Sequence, residues 1–194
     1  MLTSGTTESV CGTLHFIAQD QELIYCSFSP LLSGKTRLPG MLRKLLEENM
    51  PVYSGAGGEE EYPQLPKAPH RLGTLVSEYI ARSAAGEQLI PPPMKFYGTE
   101  FQRKVWKALL DIPAGGVTTY RAVASAAGRP GAVRAAASAV ATNPLAPIVP
   151  CHRVLPGAGG LGNYGGGVEK KRELLLLEGA PLSIFSLRKT EEAG

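Results

Sequence analysis

Two apolar runs, around FIA and LIYC, flank the polar QDQE in TLHFIAQDQELIYCSFSP, residues 13–30. This pattern predicts two short strands around a polar turn near Asp20-Gln21, a hairpin. In GMLRKLLEENM (40–50), Met41, Leu42, Leu45 and Leu46 recur at helical spacing and predict a helix. Residues 51–69 are rich in Gly, Pro and Glu and read as a long loop. HRLGTLVSEYIARSAAG (70–86) predicts a second helix, ended by Gly86. Three prolines at 91–93 fit neither a helix interior nor a central strand, so the pattern places a domain boundary there.

Beyond the prolines the period is helical. Thr99 followed by Gln102 forms a capping box. Phe101, Val105, Trp106, Leu109 and Leu110 then share one apolar face, and Pro113 with Gly115-Gly116 stops the helix. TTYRAVASAAG predicts a further helix capped by Thr119 and ended at Gly128. A tight turn, RPG, leads into AVRAAASAVATNP, and the two short helices read as a helix-turn-helix. On the second of them Val133, Ala136, Ala137 and Val140 form an inward face, while Gly131, Arg134, Ala135, Ser138 and Ala141 lie opposite. That outer face is nearly bald and carries one long cation. A helix that reads base edges in the major groove normally presents several Asn, Gln, Arg or Lys side chains. Sequence-tolerant contact with a narrow groove fits better, with Arg134 long enough to enter a base stack. The structural alternative is a small-residue helix packed on both sides.

A hydrophobic fraction of 43% and a charged fraction of 19% describe an ordinary globular protein. No apolar run approaches the roughly 18 residues needed to span a membrane. The polar MLTSGTTESV start lacks the basic region of a signal peptide. The three cysteines make no disulfide framework, and a reducing compartment follows. A net charge of +3 does not by itself define a nucleic-acid binder. The charges are unevenly spread, however. Residues 101–172 hold Arg103, Lys104, Lys107, Arg121, Arg129, Arg134, Arg153, Lys170, Lys171 and Arg172 against only Asp111 and Glu169, whereas acids cluster at 47–48 and 59–61. The second half is therefore expected to carry a surface that faces a polyanion.

PIVPCHRV (147–154) sets Cys151 between a proline and a histidine. Pro150 restricts the backbone before the thiol and favours a bend. A thiol reacts as thiolate, and an adjacent imidazole can take its proton. Side chains of neighbouring residues diverge in a strand, so direct contact between Cys151 and His152 needs a turn, or else a bridging water. Glu178 ends the helix GVEKKRELLLLEG after four leucines, where a negative charge opposes the helix dipole. It is the candidate for the group that orients the imidazole. The alternatives are a packed structural cysteine and a solvated helix end.

PCHRV, with NP at 143–144 before it and GNYGGG at 162–167 after it, resembles the O6-alkylguanine-DNA alkyltransferases. The resemblance runs from GTEFQRKVW through TTYRAVA and AVRAAASAVATNP to LLLLEGA, roughly 80 residues; the first half resembles that family only loosely. It implies an α/β protein. A small ribonuclease H-like domain (1–92) would precede a mostly helical, winged-helix-like DNA-binding domain (93–185) with the helix-turn-helix, and a mobile tail (186–194) would follow. It implies that Cys151 accepts an alkyl group from O6-alkylguanine in double-stranded DNA, once and irreversibly, with no cofactor. His152, a bound water and Glu178 would supply the thiolate. Tyr120 would help rotate the nucleotide outward and donate a proton to guanine. Arg134 would fill the gap in the stack, with Thr119, Ala135 and Ser138 beside it on the DNA face. Asn143 would tie the active-site turn together. Val140, the carbonyls of Cys151 and Val154, Tyr164 and the Gly165 amide would surround the base. Relatives often carry serine or arginine where Gly165 stands. A monomer in the cytoplasm, or in the nucleus of a eukaryote, follows.

Three other functions compete: a non-catalytic alkyltransferase-like lesion binder, a transcription regulator, and a cysteine hydrolase. Cys151 argues against the first and the bald helix against the second; a lasting mass increase separates an acceptor from the third. Cys11, His15, Cys26 and His70 are the available zinc donors in the first half. Their spacing matches no compact motif, so no metal is expected. A hairpin closed at Asp20-Gln21 would set His15 opposite Cys26.

Overall fold

The computed structural model describes residues 1–28, 37–49, 53–54, 60–61, 65–181 and 183. The tail beyond 186 and most of the segment 51–64 lie outside them.

The chain begins with an antiparallel meander of β1 (Leu2–Ser9), β2 (Gly12–Gln19) and β3 (Glu22–Ser27). The expected hairpin is β2–β3, closed by Asp20 and Gln21 at φ 51° and 69°, the pair of positive values that a two-residue hairpin turn needs. β1 has no sequence-level counterpart among the expected elements. Its run of Thr, Ser and Gly lacks apolar alternation, and it is held by pairing along all of β2. The register differs from simple counting. Ala18 pairs Leu23 but Ile17 pairs Tyr25, so Ile24 is an extra residue, a bulge. His15 consequently faces Ser27, and Phe16 faces Cys26. Gly5 lies where β1 crosses Phe16; a Cβ there would sit 2.6 Å from the tip of the ring, which would have to shift.

Helices cover both faces of this sheet. Helix α1 (Gly40–Asn49) buries Leu42 and Leu46 against Leu2, Ile17, Ile24 and Tyr25. Met41, expected on the same face, is half exposed. Between the helices lie a two-residue pairing of β4 (Tyr53–Ser54) with β5 (Glu60–Glu61) and a segment around Lys67 that bridges to Ser4 on the edge of β1. The described part of the expected loop is thus partly paired. Helix α2 (His70–Ala84) packs Leu72, Val76 and Ile80 against Leu14, Phe16 and Cys26 on the other face.

Helix α3 (Glu100–Leu110) starts at the expected Thr99–Gln102 capping box. Short β6 (Thr118–Thr119) leads into α4 (Tyr120–Ala126), whose cap is the Thr119 hydroxyl. Helix α5 (Val133–Ala141) follows after Gly128, which adopts φ 78°. Trp106 on α3 is fully buried and donates its indole N–H to the Ala139 carbonyl on α5 at 2.8 Å. A 3-10 turn (Cys151–Arg153) runs into β7 (Val154–Leu155), parallel to β6, and α6 (Val168–Leu177) completes the described elements.

The two halves share one hydrophobic cluster, from Leu14 and Val76 to Trp106, Val140 and Leu174. The outer edge of β3 also serves both. Leu23 exchanges hydrogen bonds with the Pro93–Lys95 segment, and the Cys26 amide donates to the Pro144 carbonyl at 2.8 Å. The N-terminal sheet thereby grips the chain beside Asn143.

Candidate active site

Asn143 follows α5 and folds the next eight residues around its side chain. Its Oδ1 accepts from the Leu145 amide at 3.1 Å, and its Nδ2 donates to the Val149 carbonyl at 2.8 Å and to Cys151 Sγ at 3.1 Å. Cys151 and His152 sit in the 3-10 turn, so the backbone bends where a strand would have sent them apart. The thiol is 8% exposed and His152 1%. His152 Nε2 lies 2.8 Å from Glu178 Oε1. His152 Nδ1 is buried and bonds to no protein atom. It is the nitrogen left for a proton from the thiol, directly or through a water.

Glu178 caps the C-terminus of α6, where the helix dipole disfavours its charge. The Arg153 cation and the hydrogen bond from His152 reverse that. Burial raises its pKa, but the bonds from His152 and Arg153 outweigh burial and bring it down to about 2. Burial pushes the Cys151 thiol above its ordinary value; the Asn143 amide, the Lys171 ammonium and backbone donors pull the other way. Burial also lowers the His152 pKa, against the pull of Glu178. Lys171 is fully buried, donates to the Val154 carbonyl at 2.7 Å, and is lowered by burial to about 8. Burial and then Cys151 raise the pKa of Tyr120, half-buried at the start of α4. The Tyr164 ring meets His152 edge-on at 6.3 Å between centroids, and its hydroxyl is buried and unpartnered.

The remaining sequence-derived residues separate into two groups. On α5, Arg134, Ala135 and Ser138 are exposed with Gly131 and Ala141, whereas Val140 is buried in the core beneath them. The Thr119 oxygen accepts from the Ala122 amide at 3.3 Å, so its placement is tied to helix capping. Gly165 is exposed, and a Cβ there would meet no atom within 4 Å. The Val154 carbonyl already accepts from Lys171 and keeps one lone pair. Two cations counted toward the basic surface, Arg153 and Lys171, are instead buried at the site. For Lys171 the signal was present: Lys171, Leu174, Leu175 and Glu178 follow i, i+3, i+4, i+7 and share one inward face. In the first half, His15 faces Ser27 and His70 contacts Thr74, away from Cys11 and Cys26. Among the described residues no helix is long and apolar enough to cross a membrane.

A buried thiol in the same turn as an imidazole that a carboxylate holds is an arrangement that can serve nucleophilic cysteine chemistry. Residues 100–180 match the family model for the DNA binding domain of 6-O-methylguanine DNA methyltransferase. The methylated-DNA--protein-cysteine methyltransferase of Mycobacterium bovis is 54% identical over 81 residues, 42% of this chain and 49% of that protein. The bifunctional transcriptional activator/DNA repair enzyme Ada of Escherichia coli is 43% identical over 122 residues, 62% of this chain and 34% of that protein. The crystal structure of Mycobacterium tuberculosis OGT in complex with DNA superposes with a TM-score of 0.66 at 32% identity, covering 94% of this chain and 99% of that one. The chain belongs to the 6-O-methylguanine DNA methyltransferase family; its match spans about half the length of the first of these curated relatives.

Proposed function

We propose that this protein repairs DNA by moving the alkyl group of O6-alkylguanine onto Cys151, in a single irreversible turnover. The observation that carries the reading is the arrangement of Cys151 Sγ under the Asn143 amide, in the same turn as an imidazole whose far nitrogen is held by Glu178. The names of the relatives, methylated-DNA--protein-cysteine methyltransferases, support it.

The damaged base is extruded into the site through the minor groove. A lesion that weakens pairing lowers the cost of extrusion, a few kcal/mol for an intact pair. Arg134, exposed on α5, enters the gap in the stack, and Thr119, Ala135 and Ser138 lie against the strand. Val140, Tyr164, the Gly165 amide and the carbonyls of Cys151 and Val154 surround the base. The thiol proton passes to His152 Nδ1, and the sulfur attacks the alkyl carbon. The carbon–O6 bond breaks, its electron pair stays with guanine, and Tyr120 donates the proton that makes guanine neutral. The phenolate regains a proton from the relay. The product thioether has no route back, so the protein is consumed. O4-alkylthymine presents the same alkyl carbon and is a second substrate on this reading.

The same reading assigns 1–92 to a ribonuclease H-like domain and 93–185 to a winged-helix-like domain in which α4 and α5 are the helix-turn-helix. The protein acts as a monomer on duplex DNA in a reducing compartment, the cytoplasm or the nucleus. Intact-mass spectrometry with O6-methylguanine duplex tests the proposal. The wild type gains one methyl group on Cys151 and Cys151→Ala gains none. No mass gain by the wild type, with DNA still bound, would replace this function by non-catalytic lesion binding.

A further inference from the structure

Arg153 reads in sequence as one more surface cation, yet the residue is 6% exposed and its guanidinium reaches three parts of the fold. Nε donates to Glu178 Oε2 at 2.9 Å and Nη2 to Glu178 Oε1 at 2.8 Å. Nη1 donates to the Ile112 carbonyl after α3, and Nη2 also reaches Ser83 Oγ on α2 at 3.3 Å. Glu178 Oε1 is therefore shared between Arg153 and His152 Nε2.

The charge balance of this row is uneven without the arginine. A neutral imidazole donates a hydrogen bond to a carboxylate but does not balance its charge. A buried carboxylate with only a neutral partner is costly, and it escapes the cost by taking a proton or turning away. Either change would turn the imidazole. A protonated carboxyl donates to Nε2, which forces the proton onto Nδ1 and removes the unpartnered lone pair there that could take the thiol proton. The fork of Arg153 occupies both oxygens and fixes the plane of the carboxylate.

We propose that Arg153 is a positioning residue for the alkyl transfer: it holds Glu178 as an anion in the plane that keeps His152 Nδ1 free to take the thiol proton, and it anchors that geometry to α2 through Ser83. This rests on the reading of Cys151 as the acceptor. The groups that act on or feel Glu178 are His152 and Arg153 from the turn, Tyr79 from α2, and Tyr164 beyond the imidazole, while Lys171, on the same helix, acts on His152 and Cys151. On His152 the pull of Glu178 exceeds the direct repulsion from Arg153 and Lys171. Loss of Arg153 therefore acts mainly through Glu178 and makes the thiol harder to ionise.

The test is the pH–rate profile for iodoacetamide alkylation at Cys151, read by peptide mass, which needs no DNA. Arg153→Met moves the midpoint upward by at least about one pH unit, a tenfold loss of rate at a fixed pH below it. Arg153→Lys keeps a charge beside Glu178 and recovers half or more of that shift. In a Glu178→Gln background, Arg153→Met adds no further shift. Equal midpoints in all variants, an additive shift in the Glu178→Gln background, or failure of both variants to fold and bind duplex DNA would each make Arg153 a purely structural residue and overturn the proposal. The profile stands apart from the repair reaction. A wild type that responds in this assay but takes no methyl group from DNA would refute the proposed function and leave only the effect of Arg153 on thiol ionisation.

Discussion

Replacing Lys171 by methionine should make the protein more stable and less reactive at once. The lysine is fully buried, and burial lowers its pKa from 10.5 to about 8. A shift of that size corresponds to about 3 kcal/mol of penalty for keeping the ammonium charged in the fold. Between pH 8 and 10.5 the unfolded chain holds this proton and the folded chain has lost it, so the lysine makes stability rise with pH in that window. Methionine fills a similar volume without the charge and gives up the bond to the Val154 carbonyl, worth about 1 kcal/mol. Lys171→Met is then about 2 kcal/mol more stable than the wild type at neutral pH, and about 1 kcal/mol less stable once the lysine is neutral. Cys11, Cys26, Cys151, Tyr79, Tyr120 and Tyr164, all raised by burial, work in the opposite direction at high pH. They are common to both proteins and largely cancel in the difference. Urea unfolding of reduced wild type and variant across this range measures it. The same substitution removes a cation that pulls the Cys151 thiol down, so transfer slows while stability rises. A stability difference that stays flat with pH would show that Lys171 does not titrate in this window and would sink the reasoning.

Glu178 gives the mirror case. Its pKa falls from 4.5 to about 2 in the fold, so its contribution of about 3 kcal/mol is present above pH 4.5 and lost as pH falls toward 2. Acid unfolding of Glu178→Gln should lack this slope, and at neutral pH the variant should be about 3–5 kcal/mol less stable because Arg153 stays buried without its anion; an unchanged acid slope would contradict this. Arg134→Ala should slow transfer from a duplex by about tenfold or more, the factor that 1.4 kcal/mol of stack filling represents, while a lesion in single-stranded DNA is spared. Equal losses on both substrates would remove Arg134 from base extrusion. Methylated protein should melt several degrees below the unmodified protein, since extra volume at a tight site costs about 1–3 kcal/mol and the added group crowds the Asn143 amide that donates to the sulfur.

What the sequence made legible was local. The Thr99 capping box, the Thr119 cap, the Asp20-Gln21 turn and the smooth face of α5 each depend on residues within one or two turns of chain, and each stands where its residues placed it. β1 was hidden because its polar residues gain strand geometry only from pairing with β2. The facing of His15 and Cys26 was misjudged because one bulged residue, Ile24, turns the register by a step. Arg153 and Lys171 were read as surface cations because charge usually means solvent. The distances that make them otherwise run from residue 153 to 83, 112 and 178, and from 171 to 154.

Those two misread cations complete the electrostatics of the site. Arg153 and Lys171 bring two positive charges into the protein, and Glu178 returns one negative charge. With a neutral thiol and a neutral imidazole the buried group carries one uncompensated positive charge. A thiolate at Cys151 balances it when the proton leaves the site. On the proposed function, the fold holds before any substrate arrives the field that an anion at sulfur needs, the kind of preorganised electrostatic stabilisation that lowers a barrier without reorganisation at the moment of reaction. A thioether cannot supply that anion. The resting site with its neutral thiol already carries that excess positive charge, so the lower stability expected of the spent protein comes from the crowding alone.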